Sequence, residues 1–250
     1  MPIIKTENIK KHFGGVKAVD GLSISFPEGK ITGVIGPNGS GKSTLVNLLT
    51  GFTPYDSGLM KVGEHTVLKK IQAYDIPSFG ITRTFQDVRL FEQMPVLDNI
   101  LIVITSRSVF GSLFEKHKKY HLDIAEQVLK KINLWEKKDE LAHNLSYGQR
   151  KLLEIGRVLA MDLGEEDGLH TIFFDEPFAG LFPEMIHIVS SILKELREQG
   201  KTIVLIEHNM DLIRALSDHV IVLDSGKLLA EGAPTHVLSK PEVIEAYLGK

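Results

Sequence analysis

The 250-residue sequence contains no cysteine, a single tryptophan and no long hydrophobic segment, and these shortages narrow what the protein can be. Without cysteine, disulfide bonds and thiolate metal sites are excluded. The strongest apolar runs, such as Ile100–Ile104, are far shorter than the roughly 20 residues that a membrane-spanning helix needs. We therefore expect that the chain does not itself form a channel, and that any role in transport requires other subunits in the membrane.

An excess of basic residues is also lacking, because the formal net charge is −3. Proteins that bind nucleic acid usually carry a basic surface, so the composition does not favour a nucleic-acid partner. The first residues, Met1–Glu7, have no apolar signal core. The absence of cysteine does not fix the compartment, although an intracellular location fits it.

Short apolar segments alternate with helical patterns along most of the chain. Ile3–Ile9 and Leu22–Phe26 are typical of antiparallel strands. Farther along, Thr171–Phe174 and Thr202–Ile206 are continuous apolar runs, and a helical pattern over Pro183–Glu198 separates them. Continuous apolar strands separated by helices predict a parallel sheet that is covered on both faces.

A glycine-rich segment follows the apolar strand predicted at Ile31–Ile35 and precedes a predicted helix. It matches the pattern G-x-x-x-x-G-K-[ST], so we call it the phosphate loop; its residues are Gly36, Pro37, Asn38, Gly39, Ser40, Gly41, Lys42, Ser43 and Thr44. Glycines allow the backbone N–H groups to face phosphate oxygens, and the start of the helix adds partial positive charge. We expect Lys42 to reach the β- and γ-phosphates of ATP, and the Ser43 hydroxyl to ligate Mg²⁺.

Two carboxylates, Asp175 and Glu176, stand at the end of the predicted strand at Thr171–Phe174. Because ligands of parallel sheets gather at the carboxyl ends of the strands, Asp175 is a candidate Mg²⁺ ligand and Glu176 a candidate base for the attacking water. His208 follows the next apolar strand at the same edge, where a hydrogen bond to the γ-phosphate is expected. The alternatives are a pair of turn carboxylates and a structural histidine.

The stretch from 86 to 160 has a different, mostly helical pattern. Within it, Ser146 and Gln149 have the spacing of a capping box, which predicts that a helix starts at Ser146. We therefore predict a single domain with a nucleotide-binding core at 1–85 and 161–250 and an inserted helical subdomain at 86–160.

These segments together resemble the ATPases of ABC transporters, over almost the whole chain. The matching segments are the phosphate loop, Gln86, the signature segment Leu145–Gln149, Asp175–Glu176 and His208, in the family's order and approximate spacing. The resemblance implies an α/β fold, with a P-loop NTPase (RecA-like) core, an antiparallel β region and an inserted α-helical subdomain. It also implies that ATP and Mg²⁺ are bound and that ATP is hydrolysed.

The same resemblance implies roles for residues that the motifs alone leave open. In this family ATP lies between the phosphate loop of one subunit and the signature segment of another, which assigns Ser146, Gly148 and Gln149 to ATP binding. Gln86 corresponds to the residue that senses Mg²⁺ and links the core to the helical lobe. Phe13 matches the aromatic residue on which adenine stacks, and a buried core phenylalanine is the alternative.

Further residues narrow the resemblance to the ATPases of branched-chain amino-acid uptake systems. They are Gly80–Gln86, Arg89–Phe91, Ala246–Gly249 and, in the signature segment, Tyr147. ATPases of lipopolysaccharide export are the nearest alternative, but they lack the Arg-Thr-Phe-Gln and Arg-Leu-Phe patterns. We therefore expect a subunit that energises uptake of branched-chain or other amino acids.

One residue departs from the family pattern. Phe182 stands in the D-loop, Ala179–Pro183, at a position where Asp or Asn is usual. Because a phenyl ring cannot make polar contacts across a subunit interface, coupling between two ATP sites is open to question.

Two alternatives come from other functional classes. A soluble ABC ATPase that acts on nucleic acid or ribosomes usually has two cassettes or a coiled-coil insertion, and neither is present. A regulatory module that no longer hydrolyses ATP conflicts with Lys42, Glu176 and His208, although Phe182 would suit it.

The resemblance implies permease subunits as partners and a second ATPase subunit, which is either another copy of this chain or, as favoured, a different chain. An extracytoplasmic solute-binding protein is a further candidate partner. The resemblance also places the chain in the cytoplasm, attached peripherally to the inner face of the membrane through the permease.

Overall fold

The computed structural model describes residues 4–63, 66–104, 119–164 and 168–248. The chain divides into two compact units. The α/β unit comprises Met1–Arg83, His170–Glu176 and Leu193–Lys250, and the helical unit comprises Thr84–Leu169 and Pro177–Ile192.

The α/β unit contains two sheets, whose strands are β1 (Ile4–Phe13), β2 (Val16–Leu22), β3 (Ser25–Phe26), β4 (Ile31–Ile35), β5 (Ser57–Val62), β6 (Thr66–Leu68), β7 (Ile81–Arg83), β8 (Thr171–Asp175), β9 (Thr202–Ile206), β10 (His219–Asp224) and β11 (Lys227–Gly232). Its helices are α1 (Lys42–Leu49), α6 (Met210–Leu216), α7 (Pro234–Val237) and α8 (Pro241–Leu248). Helix α5 (Pro183–Glu198) begins in the helical unit and ends in the α/β unit.

The larger sheet has the strand order β11-β10-β4-β9-β8-β7 and is parallel from β10 to β7. Strands β4, β8 and β9 are buried along their whole length, as their continuous apolar sequences predict. The strands predicted at Ile31–Ile35 and Thr202–Ile206 are confirmed, and so is the helix at Pro183–Glu198. In this order, strands β4, β9 and β8 are neighbours.

The smaller sheet is antiparallel, with the order β2-β1-β5-β6 and β3 paired to β1. Strand β1 is longer than the predicted Ile3–Ile9, because it continues to Phe13 and pairs there with Val16 across the Gly14–Gly15 turn. The apolar faces of both sheets and of helix α1 form one buried cluster, in which Phe26 meets Phe173 edge to face at 6.2 Å. Each fully buried apolar side chain of this kind contributes roughly 1.5–3 kcal/mol to the free energy of folding.

The helical unit contains α2 (Val96–Ile104), α3 (Lys119–Lys131) and α4 (Tyr147–Gly164) as well as the start of α5. The three helices meet closely at Gly156: a Cβ atom there would lie 2.6 Å from Ile132 Cδ1 and 3.3 Å from Ile100 Cδ1 and Val128 Cγ1. A side chain at this position would force the helices apart. The absence of a side chain at Gly156 therefore allows the three helices to pack this closely.

The unit boundaries differ from the predicted lobe at 86–160. Helix α4 runs on to Gly164, so the predicted end falls inside a continuous helix. Residues 177–192 also belong to the helical unit. Met185 of this segment packs closely on Gly148, where a Cβ atom added to the glycine would lie 2.6 Å from the Met185 sulfur. Such a contact between segments far apart in sequence leaves no local pattern.

Within the described ranges, the structure contains no helix that is both long enough and apolar enough to cross a lipid bilayer.

Candidate functional site

The phosphate loop follows strand β4 directly, and its last three residues begin helix α1, so it joins a strand to a helix as predicted. Two of its glycines are required by close approaches: a Cβ atom on Gly36 would lie 2.2 Å from the Leu223 carbonyl oxygen, and one on Gly41 would lie 2.3 Å from the Ala18 carbonyl oxygen. Gly41 has φ of 103°, which only glycine adopts without strain, and it caps the start of α1. The neighbouring strands therefore fix the loop from behind.

The Lys42 side chain is buried within the loop. Its ammonium group donates to the Gly36 carbonyl oxygen at 2.7 Å and to the Pro37 carbonyl oxygen at 3.1 Å. Burial lowers the pKa of Lys42, while the negative charges of Glu176 and Asp175 oppose that shift. The loop and the two carboxylates therefore share one electrostatic environment.

Asp175 and Glu176 lie at the carboxyl end of β8, as predicted. The Glu176 N–H donates to the Ile206 carbonyl oxygen of β9 at 3.0 Å, which fixes the residue at the sheet edge. Glu176 has φ of 49°, in the left-handed region that a non-glycine residue seldom occupies. Such strain costs on the order of 1–3 kcal/mol and concentrates at functional sites.

His208 follows β9, the strand between β4 and β8. Its Nε2 lies 3.0 Å from Glu176 Oε1, and the backbone N–H of His208 is held by Glu207 Oε2 at 3.1 Å. Three neighbouring strands thus bring the phosphate loop, His208 and Glu176 to one sheet edge. A contact of His208 with the γ-phosphate of ATP stays a prediction.

Arg83 contacts the candidate metal ligand, a role that the sequence did not predict. Its Nη2 lies 3.1 Å from Asp175 Oδ2, and both side chains are more than nine-tenths buried. In the sequence, Arg83 belongs to the Arg-Thr-Phe-Gln pattern, which indicates a family but does not predict this contact. A long-range ion pair of this kind has no local sequence mark.

Phe13 ends β1 with its side chain in solvent, 52% exposed. The alternative that Phe13 is a buried core residue is therefore wrong. Lys11 Nζ lies 5.4 Å from the centre of its ring, close enough for a cation–π contact. The exposed ring is free to stack on a base, and that role remains a prediction.

The back of the phosphate loop is supported by residues far along the chain. The N–H of Gly226, in the turn between β10 and β11, donates to the Ser40 carbonyl oxygen at 3.0 Å. Tyr247 of helix α8 lies beside the Gly36 backbone, and burial raises the pKa of its hydroxyl to about 12. The Ala246–Gly249 motif thus places a tyrosine against the loop, while Gly249 lies outside the described residues.

In the helical unit, the predicted capping box is confirmed. The Ser146 N–H donates to Gln149 Oε1 at 3.0 Å, and the Gln149 N–H donates to Ser146 Oγ at 3.3 Å. Tyr147 packs on Gly180, where a Cβ atom would lie 2.9 Å from the tyrosine ring. The signature segment and the D-loop therefore form one packed surface around buried Gly148.

Gln86 is exposed and lies in a segment, residues 84–91, that two side chains of α4 hold. The Phe85 N–H donates to Glu154 Oε1 at 3.2 Å, and Arg157 donates to the Arg89 carbonyl oxygen. Burial raises the pKa of Glu154 and lowers that of Arg157. Neither residue stands out in the sequence, because both occupy ordinary positions of the helical pattern in α4.

The described residues contain no cluster of three or more histidine, aspartate or glutamate side chains that could hold a metal ion. The α/β unit instead offers the exposed Ser43 hydroxyl and the Asp175 carboxylate. Oxygen donors of this kind suit Mg²⁺, which usually keeps several waters and takes few protein ligands beside substrate phosphates. The donor set therefore fits magnesium bound together with a nucleotide.

A parallel sheet with a glycine-rich loop, a buried lysine and two strand-end carboxylates defines a P-loop nucleotide-binding protein. The family described as ABC transporter matches residues 19–179, well over half of the chain. The chain belongs to this family and is one of its ATPases. The inference drawn from the five ordered segments is thereby confirmed.

Named relatives match along the whole chain. A probable branched-chain amino acid transport ATP-binding protein, LivG, of Methanocaldococcus jannaschii is 39% identical over 260 residues, which cover 100% of this chain and 98% of the relative. The high-affinity branched-chain amino acid transport ATP-binding protein BraF of Pseudomonas aeruginosa is 34% identical over 259 residues, with the same coverage. The predicted resemblance to the branched-chain amino-acid group is confirmed.

Solved structures agree with the fold. A nucleotide-free ATP-binding cassette from an ABC transporter superposes with a TM-score of 0.84 at 38% identity, and the match covers 100% of both chains. The ADP conformation of an ATP-binding cassette gives a TM-score of 0.83 at 38% identity, again over 100% of both chains. The predicted P-loop NTPase fold is therefore confirmed.

Proposed function

We propose that this protein is the ATP-hydrolysing subunit that energises a membrane importer of branched-chain amino acids. One observation carries the catalytic part: neighbouring strands bring the phosphate loop, Glu176 and His208 to the same edge of the parallel sheet. The transport part rests on the full-length similarity to ATP-binding proteins of branched-chain amino acid transport.

Glu176 is proposed as the general base. Its Oε1 lies 3.0 Å from His208 Nε2, so the imidazole fixes the direction of the carboxylate. The carboxylate would take a proton from the water that attacks the γ-phosphate, and His208 would also contact that phosphate. The positive φ of Glu176 takes its backbone out of the extended conformation of β8.

Lys42 is proposed to bind the β- and γ-phosphates. Its ammonium group now donates to two loop carbonyl oxygens, and phosphate oxygens would replace them as stronger, charged acceptors. Ser43 and Asp175 would hold Mg²⁺, with Gln86 as a further ligand by family resemblance. When bound, magnesium neutralises charge on the phosphates and so favours attack on phosphorus.

A second ATPase subunit is proposed to complete the site. Ser146 is exposed at the start of helix α4, where a hydroxyl group, backbone N–H groups and the helix dipole suit an anion. The signature segment of one subunit, with Ser146, Gly148 and Gln149, would thus contact ATP held by the phosphate loop of another. A different chain as partner is favoured, as in the branched-chain systems that the sequence resembles.

The proposed partners also include the permease subunits, which would hold this chain at the cytoplasmic face of the membrane, and an extracytoplasmic solute-binding protein. Binding of ATP between two subunits would favour the closed pair. Loss of the γ-phosphate would remove contacts to both faces and reopen it.

The catalytic proposal is tested with Glu176→Gln. The variant should keep ATP affinity, because the amide has the shape of the carboxylate, and should lose hydrolysis by about 10²–10⁴-fold. Phosphate release and equilibrium ATP binding are measured on the same preparations. Glu198→Gln, an exposed change on helix α5, is the matched control and should leave both unchanged.

The transport proposal is tested by purifying the protein with its membrane partners and reconstituting them in vesicles. ATP-driven uptake of labelled leucine, isoleucine and valine is expected with the unmodified protein and not with Glu176→Gln. Uptake that is equal for both proteins, or ATP hydrolysis without any uptake of these amino acids, would contradict the assignment.

A further inference from the structure

Arg83 joins three elements that carry the ATP site. Its Nη1 donates to Asn47 Oδ1 at 2.7 Å and to Thr50 Oγ1 at 3.1 Å, on helix α1 and its carboxyl cap. Its Nη2 donates to Asp175 Oδ2 at 3.1 Å, at the end of β8. The same helix α1 begins with Lys42 and Ser43, so one guanidinium group connects the phosphate-binding helix to the strand-end carboxylate.

The strand register explains why arginine is needed here. Arg83 ends β7 and pairs with Phe173, two residues before Asp175 on the neighbouring strand β8. Two residues of a strand span roughly 6.6 Å, so only a long side chain reaches the carboxylate. The ring of Phe52 lies 5.3 Å from the guanidinium carbon and restricts it further.

Orientation of the carboxylate is the property that this contact controls. The terminal torsion of an aspartate side chain is broad, so a carboxylate that nothing holds samples many directions. A planar guanidinium fork that is itself bonded to α1 removes this freedom. Magnesium accepts little deviation from octahedral geometry at about 2.0–2.1 Å, so the direction of each oxygen ligand matters.

We propose that Arg83 is a positioning residue that holds the Asp175 carboxylate in the orientation needed for magnesium in the ATP site. The inference rests on the proposed magnesium role of Asp175. In this proposal, Arg83 acts on magnesium through its contact with Asp175. Its loss should therefore weaken the magnesium-dependent part of ATP binding and spare the magnesium-independent part.

The experiment measures ATP affinity by calorimetric titration, with Mg²⁺ and with a chelator, in the full-length protein. The quantity compared is the ATP affinity with Mg²⁺ divided by the ATP affinity with the chelator. Arg83→Met should lower this ratio about tenfold, the usual effect of losing a partner that orients a metal ligand. Arg83→Lys keeps the charge without the fork and should give a smaller loss.

Two further variants separate positioning from folding. Asn47→Ala removes one acceptor of Arg83 without touching Asp175, and it should lower the ratio in the same direction by a smaller factor. Arg197→Met removes an arginine that pairs with Asp218 at 3.2 Å elsewhere in the same unit, and it should leave the ratio unchanged. Thermal unfolding identifies folded variants, and if Arg83→Met does not fold, Arg83→Lys and Asn47→Ala decide.

The outcomes distinguish this inference from the magnesium assignment itself. If Asp175→Asn has the same ratio as the unmodified protein, the magnesium role of Asp175 is wrong. If Asp175→Asn lowers the ratio and the folded Arg83 variants do not, positioning by Arg83 is wrong. An equal loss of affinity with and without magnesium in the Arg83 variants would show a purely structural role.

Discussion

The two units hold their candidate functional groups in different ways. In the α/β unit, each charged side chain of the candidate site makes a hydrogen bond or ion pair with another group of the unit. Lys42 bonds to loop carbonyl oxygens, Asp175 to Arg83 and Glu176 to His208. In the helical unit, Ser146 bonds within its own helix start and faces solvent, and Phe182 is 69% exposed. The first unit holds its candidate nucleotide site in a fixed arrangement, whereas the candidate groups of the second unit lie on an exposed surface.

The largest effect is expected when the candidate nucleotide site of the α/β unit loses a phosphate-binding group. Lys42→Ala should lower ATP affinity about 100-fold, because a charged hydrogen-bond donor to the phosphates is lost. Equilibrium titration measures it, with Lys227→Ala, an exposed lysine of the same unit, as the control. Unchanged ATP affinity in Lys42→Ala would contradict the phosphate-loop assignment.

Ser146→Ala tests the helical unit and should have a smaller effect. Loss of the cap should destabilise the protein by about 1 kcal/mol, and ATP affinity of the isolated subunit should stay within about twofold. Hydrolysis should fall more than binding, since the serine would act only in the closed pair. The exposed Ser191→Ala is the control for stability, and an equal loss of ATP affinity would overturn the contrast between the units.

The helical unit should also respond to pH through Glu154. Burial raises its pKa above the ordinary value of 4.5, so the folded protein holds this proton more tightly than the unfolded chain does. This contribution to stability is complete below pH 4.5 and is lost as pH rises through the folded pKa.

Glu154→Gln lacks this titration. Its thermal stability relative to the unmodified protein should therefore improve as pH rises from 4.5. Unfolding temperatures measured across that range test it, and Glu198→Gln, an exposed glutamate, should show no such trend. A stability difference that is independent of pH would show that the buried carboxyl does not titrate as inferred.

The smallest effect is expected for Phe182→Asp. An exposed side chain contributes little, so stability should change by less than about 0.5 kcal/mol and ATP affinity should stay the same. Any effect should appear as changed cooperativity of ATP hydrolysis between paired subunits. A loss of ATP affinity in the isolated subunit would mean that the D-loop also affects ATP binding at the phosphate loop of the same subunit.

Local patterns in the sequence were sufficient for much of the fold. The buried strand at Thr202–Ile206, the helix at Pro183–Glu198 and the capping box at Ser146 were predicted with the bounds or contacts that the structure has. Each depends on neighbours within a few residues, where periodicity and hydrogen-bonding chemistry leave a direct trace. The predicted lobe ended at residue 160, which lies inside helix α4, because nothing in the sequence of this helix marks where the compact unit ends.

The phosphate loop, the strand-end carboxylates and the family could be predicted from the sequence, since they depend on residue types at fixed spacing. The contacts of Arg83 with Asp175, of His208 with Glu176 and of Met185 with Gly148 became known from the folded structure. Those contacts join segments far apart along the chain. Their geometry follows from strand order and helix packing, and no local pattern records either.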